Sequence, residues 1–334
     1  MSAHTEPTID SWVAGQKQVS RPLSDKHLAA FKDLFSGTAK TPDEISEVAS
    51  RIAEPCLKPF SESPITGLWH TIQDAVEKLP SQNDKLAALV VSLQRLPDGK
   101  GVLGPDPWFS DLPEFDNHWT EWVAMSFSDL KESNPDRQAN RQAWVNQNAF
   151  MAKITAQARG VEKLREERQR GGVCLRMALE RTPWDQNSPT YQAPDGPMED
   201  AMTFSDDEDN DEGEDGGEDE KEDEEGEEEE EEEEADPNAE ITVLDALVPA
   251  AAQWILNCPR ELYEKAAAGG EMDSEYDHNG TNFGTKKGWS LDRWAYWRKR
   301  FEEISNMEQL EESTRRIAKE AMEKMDATSK EAST

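Results

Sequence analysis

Apolar residues recur along this chain at the three-and-four spacing of a helix face, and no alternating β-branched run is long enough for a sheet. Ser24 stands as a cap ahead of Leu28, Phe31, Leu34 and Phe35, which share a face that Gly37 ends. Thr41-Pro42-Asp43-Glu44 has the layout of a capping box with proline in the first turn, and Ile45, Val48, Ala49 and Ile52 form the stripe behind it. Leu68, Trp69, Ile72, Ala75 and Val76 make the next face. After Pro80, Ser81 and Asp84 resemble a cap and its third-position partner, ahead of Leu86, Leu89, Val90 and Leu93.

Residues 97–107 are a Gly/Pro loop, and helix is expected again from about Phe115. A long helix over 135–159 carries Trp144, Asn148, Met151 and Ile154 on one side. Another, broken near Gly171 and Gly172, turns Cys174, Leu175, Ala178 and Leu179 inward. Helix resumes near Ile241, runs through Trp254 and Ile255 and is broken by Pro259. Two further helices cover 290–306, presenting Leu291, Trp294, Phe301 and Ile304, and 307 to about 325. The pattern predicts an all-α fold, an irregular bundle of about nine to eleven helices without a fixed repeat.

Charge divides the chain. Residues 206–236 hold 24 acidic residues and one base, Lys221, a local charge of −23 out of a total of −35. So dense a like-charged run repels itself and has little apolar surface to offset the cost of ordering, so it is expected to be a disordered loop. The predicted organisation is a flexible tail over 1–22 and a helical domain over 23–185 and 240–310. A disordered acidic insertion at 186–239 joins its two parts, and a C-terminal helix with a frayed tail occupies 311–334. The acidic run offers itself to basic proteins such as histones, or is a solvated insertion. Ser205, directly before Asp206, Asp207 and Glu208, is a candidate phosphorylation site in a context that acidophilic kinases favour.

The remaining chemistry is sparse. The GxGxxG of residues 99–104 lacks the strand before it and the helix after it that a dinucleotide needs, and residues 280–286 miss the phosphate-loop spacing. Asp207, Asp209 and Asp211 stand at calcium-loop spacing, but Glu212 replaces the glycine of the turn. Cys56, Cys174 and Cys258 form no pair or zinc cluster and are expected to be buried, reduced thiols. No catalytic, cofactor-binding or metal-ligating residue is assigned, and an enzyme is disfavoured. Eleven tryptophans supply a core, and some of them a candidate pocket: His118, Trp119, Trp122, Trp144, Arg293, Trp294 and Trp297. Arg298, Lys299 and Arg300 interleave with aromatics in a manner that can grip single strands, but the acidic balance disfavours nucleic acid. An alternative sets the acidic loop over this basic face. With no signal peptide and no apolar stretch of spanning length, the protein is expected in the cytoplasm or nucleus, neither secreted nor in a membrane.

Two blocks carry a resemblance: Trp144-x-Asn146-x-Asn148-Ala149-Phe150-x-Ala152 and Gly288-Trp289-Ser290-x-x-Arg293-Trp294-x-x-Trp297. With Trp69, Leu112-Pro113, Trp119, Leu179-Glu180 and Ala251-Ala252-x-Trp254-Ile255, their order is similar to the fungal domain-of-unknown-function family DUF3632. The resemblance implies a fungal, all-helical, single-domain protein and brings no activity to carry over. The leading expectation from the residues is a non-enzymatic interaction or scaffold protein whose acidic loop is open to basic partners; the alternatives are a ligand-binding protein or enzyme with a tryptophan-lined pocket, and a histone-chaperone-like acidic binder. Two physical expectations accompany these blocks. Asn146 and Asn148, two apart on a helix, are not expected both to face the core, and one should bond a neighbouring loop. Arg293 is expected to brace the fold through an acid such as Glu180.

Overall fold

The computed structural model describes residues 6–19, 22–37, 41–56, 65–96, 112, 115, 135–158, 164, 168–180, 243–272 and 288–333. Eleven α-helices form among them: α1 (Ile9–Gln16), α2 (Asp25–Phe35), α3 (Pro42–Ala53), α4 (Ile65–Lys78), α5 (Asn83–Gln94), α6 (Arg137–Gln157), α7 (Arg168–Leu179), α8 (Leu244–Asn257), α9 (Pro259–Ala268), α10 (Leu291–Ser305) and α11 (Glu312–Ala332). The described residues contain no strand, so the fold is all-α. The acidic run, residues 97–107, where a loop is expected, and residues 116–134 and 273–287 lie outside the described residues.

The helices pack as a succession of neighbours. α1 rests on α2, α2 on α3, and α3 on α5; α4 and α5 both meet α6. On its other side α6 meets α8, which also holds α7 and α11, and α10 closes the row against α11. The helices on either side of the acidic run thus pack directly on one another. One continuous apolar core runs through all of them.

Being covered on two sides explains the polar-looking α6. Asn146 donates to the Glu77 carbonyl at the end of α4 (3.0 Å), while Asn148 accepts from the Trp254 indole of α8 (2.8 Å). Both asparagines are buried. The expectation that only one could face the core fails because this helix has two buried faces, each supplying a partner that the amide needs.

Four other expectations are corrected. The N-terminal tail contains α1, capped by the Thr8 hydroxyl, and this helix is held by tertiary contacts that local pattern does not reveal. Trp12 packs edge-on to Phe31 and Phe35 and donates its indole N–H to Asp74 (2.7 Å). Ser81 is no cap: residues Pro80–Gln82 make a 3-10 turn and Ser81 bonds Glu6 instead. The last helix starts later than expected and runs on past Met325 to Ala332.

α7 passes unbroken through Gly171 and Gly172. A Cβ on Gly171 would lie 2.7 Å from the Trp254 ring, and one on Gly172 2.6 Å from the Trp289 ring. These glycines mark close approach of two tryptophans. The break expected at Pro259 is present: α8 ends at Asn257, and Pro259 opens α9 at its first turn, where its missing N–H costs nothing.

Candidate functional site

Glu180 follows the last residue of α7, and its side chain is fully buried. Ser290 caps α10 and accepts the backbone N–H of Arg293 (3.1 Å), which fixes the first turn so that Arg293 points back toward α7. Its guanidinium forks onto the carboxylate, Nε to Oε1 at 3.0 Å and Nη2 to Oε2 at 3.3 Å. Nη1 donates to the Gly288 carbonyl. One turn along α10, the Trp297 indole donates to the same Oε1 at 2.6 Å. Arg176, one turn before Glu180, brings its Nε to 3.9 Å from Oε2. The expected brace from Arg293 to Glu180 is thus present, with Trp297 as a further donor.

The surroundings are aromatic. Trp289 meets Trp297 edge-on with ring centroids 5.8 Å apart, and its indole donates to Gln169 on α7 (2.9 Å). Gly288 takes φ +83°, and a Cβ there would lie 2.3 Å from the Gly270 carbonyl oxygen, so glycine is required twice over.

The candidate pocket residues therefore divide. Arg293 and Trp297 meet on Glu180. Trp294 turns the other way, donating to Ser329 of α11 (3.0 Å) and packing edge-on against Tyr263 of α9. Trp144 is buried on α6; its carbonyl takes the Asn148 amide (2.9 Å), and its indole nitrogen has no hydrogen-bond partner among the described residues. His118, Trp119, Trp122 and Ser205 lie outside the described residues.

The basic stretch of α10 is engaged by the protein's own acids. Arg298 forks onto Asp326 of α11, with both contacts at 2.9 Å, and also bonds Glu302. That hydrogen bonding holds the Asp326 carboxyl below its ordinary value and the Arg298 guanidinium above its own. Lys299 and Arg300 both bond Glu303, at 3.2 and 2.7 Å. Arg300 also donates to the Tyr296 hydroxyl, whose pKa burial pushes up to about 12. All three cysteines are buried; burial pushes the Cys56 and Cys174 thiols up to about 12, which keeps them protonated and unreactive at neutral pH.

A second feature is not legible from the sequence pattern alone. α6, α8 and α11 enclose a half-open cleft of about 400 Å³, with Val145, Pro249 and Ile317 as its apolar wall and Arg141, Asp245 and Glu320 among its charged groups. Asp245 accepts the backbone N–H of Glu311 (3.1 Å) at the start of α11, and burial pushes its carboxyl above the ordinary value. Pro249 lies inside α8 and has no N–H to give the carbonyl of Asp245, four residues before it. The signal was present as a proline within a helical pattern. Its meaning depended on α6 and α11 arriving beside it.

This is an all-helical protein whose aromatic residues surround a buried arginine–glutamate brace. The family described as a protein of unknown function (DUF3632) matches residues 69–301, and the chain belongs to that family. No curated protein and no solved structure matches it. No helix among the described residues is long and apolar enough to cross a membrane.

Proposed function

We propose that this is a non-catalytic binding protein that recruits basic protein partners through the acidic run at 206–236, within the cell. The observation that carries this reading is the concentration of 24 acids against one base between two helices that pack on each other. A field of that density raises the local concentration of cationic partners and speeds their encounter. Two features of the helical body support it. Glu180, the last described residue before the run, is held by Arg293 and Trp297, so the helical body is fixed up to that point. The bases of residues 298–300 are already bonded to Glu302, Glu303 and Asp326, which favours an outside partner over that stretch of α10 as the run's counter-charge. Ser205, at the head of the run, is the proposed modification site, where phosphate deepens the same field.

The test is a titration of the full-length protein with core histones, beside a variant whose acids at 206–236 are replaced by glutamine and asparagine. The parent is expected to bind with an affinity that falls steeply as salt rises, and the variant to lose at least about tenfold at physiological ionic strength. Equal binding by the two would remove the acidic run from the mechanism.

A further inference from the structure

The cleft between α6, α8 and α11 combines three features that suit a long cationic side chain. Its wall of Val145, Pro249 and Ile317 is apolar, as the methylene stem of lysine or arginine requires. It is rich in acceptors: the carboxylates of Asp245, Glu311 and Glu320 line it, and Pro249 leaves the Asp245 backbone carbonyl without its helical donor. Its own bases already lean on acids, with Arg141 4.0 Å from Glu311 and Arg316 4.0 Å from Glu320. Asp245 makes no direct ion pair among the described residues; its carboxylate is held by the Glu311 N–H and the Thr314 hydroxyl, with the Arg141 charge near enough to favour its ionised form. The lining therefore holds three acids against two bases, Arg141 and Arg316, one acid more than its bases.

Position in the chain adds to this. The last acid of the run, Asp236, precedes Asp245 by nine residues, a span of at most about 30 Å even fully extended. A basic segment drawn to the run arrives within reach of the cleft.

We infer that this cleft is an anchoring pocket that takes one lysine or arginine side chain from the basic partner. The inference rests on the proposed recruitment of basic proteins and adds the point at which such a partner is seated. Recruitment by the run is long-range and weakened by salt. Seating in the cleft is short-range and stereochemical, and persists when salt has screened the run.

The probe is a peptide of alternating lysine and glycine, with its lysine-acetylated counterpart as control. It is titrated into the full-length protein and into the variant with a neutralised run, at low and at high salt. Glu320→Lys places a like charge on the rim, where the native side chain is 54% exposed and the fold has little stake in it. Val145→Trp fills the wall. In both backgrounds Glu320→Lys is expected to weaken binding about tenfold, Val145→Trp to abolish the part that survives high salt, and the acetylated peptide not to bind. If Val145→Trp fails to fold by circular dichroism, Glu320→Lys decides alone.

Unchanged affinity in the Glu320→Lys protein overturns the pocket, whatever the run does. If neutralising the run abolishes all binding while Glu320→Lys has no effect in the parent, recruitment stands and the cleft is excluded. If neutralising the run changes nothing while Glu320→Lys still weakens binding, the cleft stands and recruitment by the run fails.

Discussion

Burial makes Glu180 the most consequential carboxylate of the described structure. Its side chain is fully buried and Arg293's is 2% exposed, so each charge depends on the other for what water would otherwise supply. Glu180→Gln leaves Arg293 and Arg176 buried beside a neutral amide. Urea unfolding is expected to show a loss of about 3–5 kcal/mol, against no more than about 1 kcal/mol for Asp326→Asn at the exposed pair with Arg298. The double variant Glu180→Leu with Arg293→Met should recover part of the deficit, because no uncompensated charge is then left from that pair. Similar losses at Glu180 and Asp326 would show that the brace contributes no more than a surface pair.

His27 provides the pH-dependent counterpart. It is buried in α2, with Nδ1 2.9 Å from the Ser24 hydroxyl, and burial holds its pKa below the ordinary value, against the opposing influence of the Ile52 backbone. The unfolded chain therefore takes up this proton first as pH falls. The contribution is complete above about pH 6.5, the ordinary histidine value, and is lost as pH drops from there through the folded value. Unfolding free energies measured from pH 8 to pH 5 should decline more steeply for the native protein than for His27→Phe; parallel curves would refute this. At this scale the sequence was informative wherever one residue's need implied its partner's type. An arginine beside tryptophans at a helix start called for an acid, and Glu180 supplies it. It misled at Asn146 and Asn148, because a lone helix does not declare how many of its faces are covered.

Among the elements, α7 shows why local propensity misjudged a helix that tertiary packing secures. Glycine weakens a helix interior by about 1 kcal/mol relative to alanine, so a pair of them reads as a break. Here they admit Trp254 and Trp289, from helices and loops far along the chain. Gly171→Ala and Gly172→Ala are each expected to destabilise by about 1–3 kcal/mol, because overpacking against a ring outweighs the gain in propensity. Gly15 of α1 is the control, since a Cβ there meets nothing within 4 Å. Gly15→Ala should raise the melting temperature, by an increment worth about 0.4–1 kcal/mol. A stabilising alanine at 171 or 172 would mean that the tryptophans yield freely. Where the local signal was a cap, as at Thr41 and Glu44 of α3, the sequence located the start to the residue, because both hydrogen bonds of that box are made within four residues.

Over the whole molecule, the packing extends beyond the family match at both ends. The matched span opens at Trp69 inside α4 and closes at Phe301 inside α10. Yet α3 covers α5, and α11 covers both α8 and α10. The apolar residues that α11 buries, Ala318, Ala321 and Met325, belong to the same continuous core as Trp254 and Trp297. A fragment limited to 69–301 would expose the apolar faces of α5, α8 and α10 together, and contiguous apolar surface of that kind drives association. The fragment is therefore expected to be aggregated or to bind a hydrophobic dye strongly, whereas 6–333 gives one cooperative unfolding transition. Truncation after Asn306 separates the two ends: it removes α11 with the turn that leads into it, strips Trp294 of its bond to Ser329 and uncovers α8. If that truncated chain remains monomeric by size exclusion and unfolds cooperatively at an unchanged temperature, α11 is an accessory to the fold. If it associates and its transition broadens, the unit of folding is the full row of helices, larger than the unit that sequence similarity delimits.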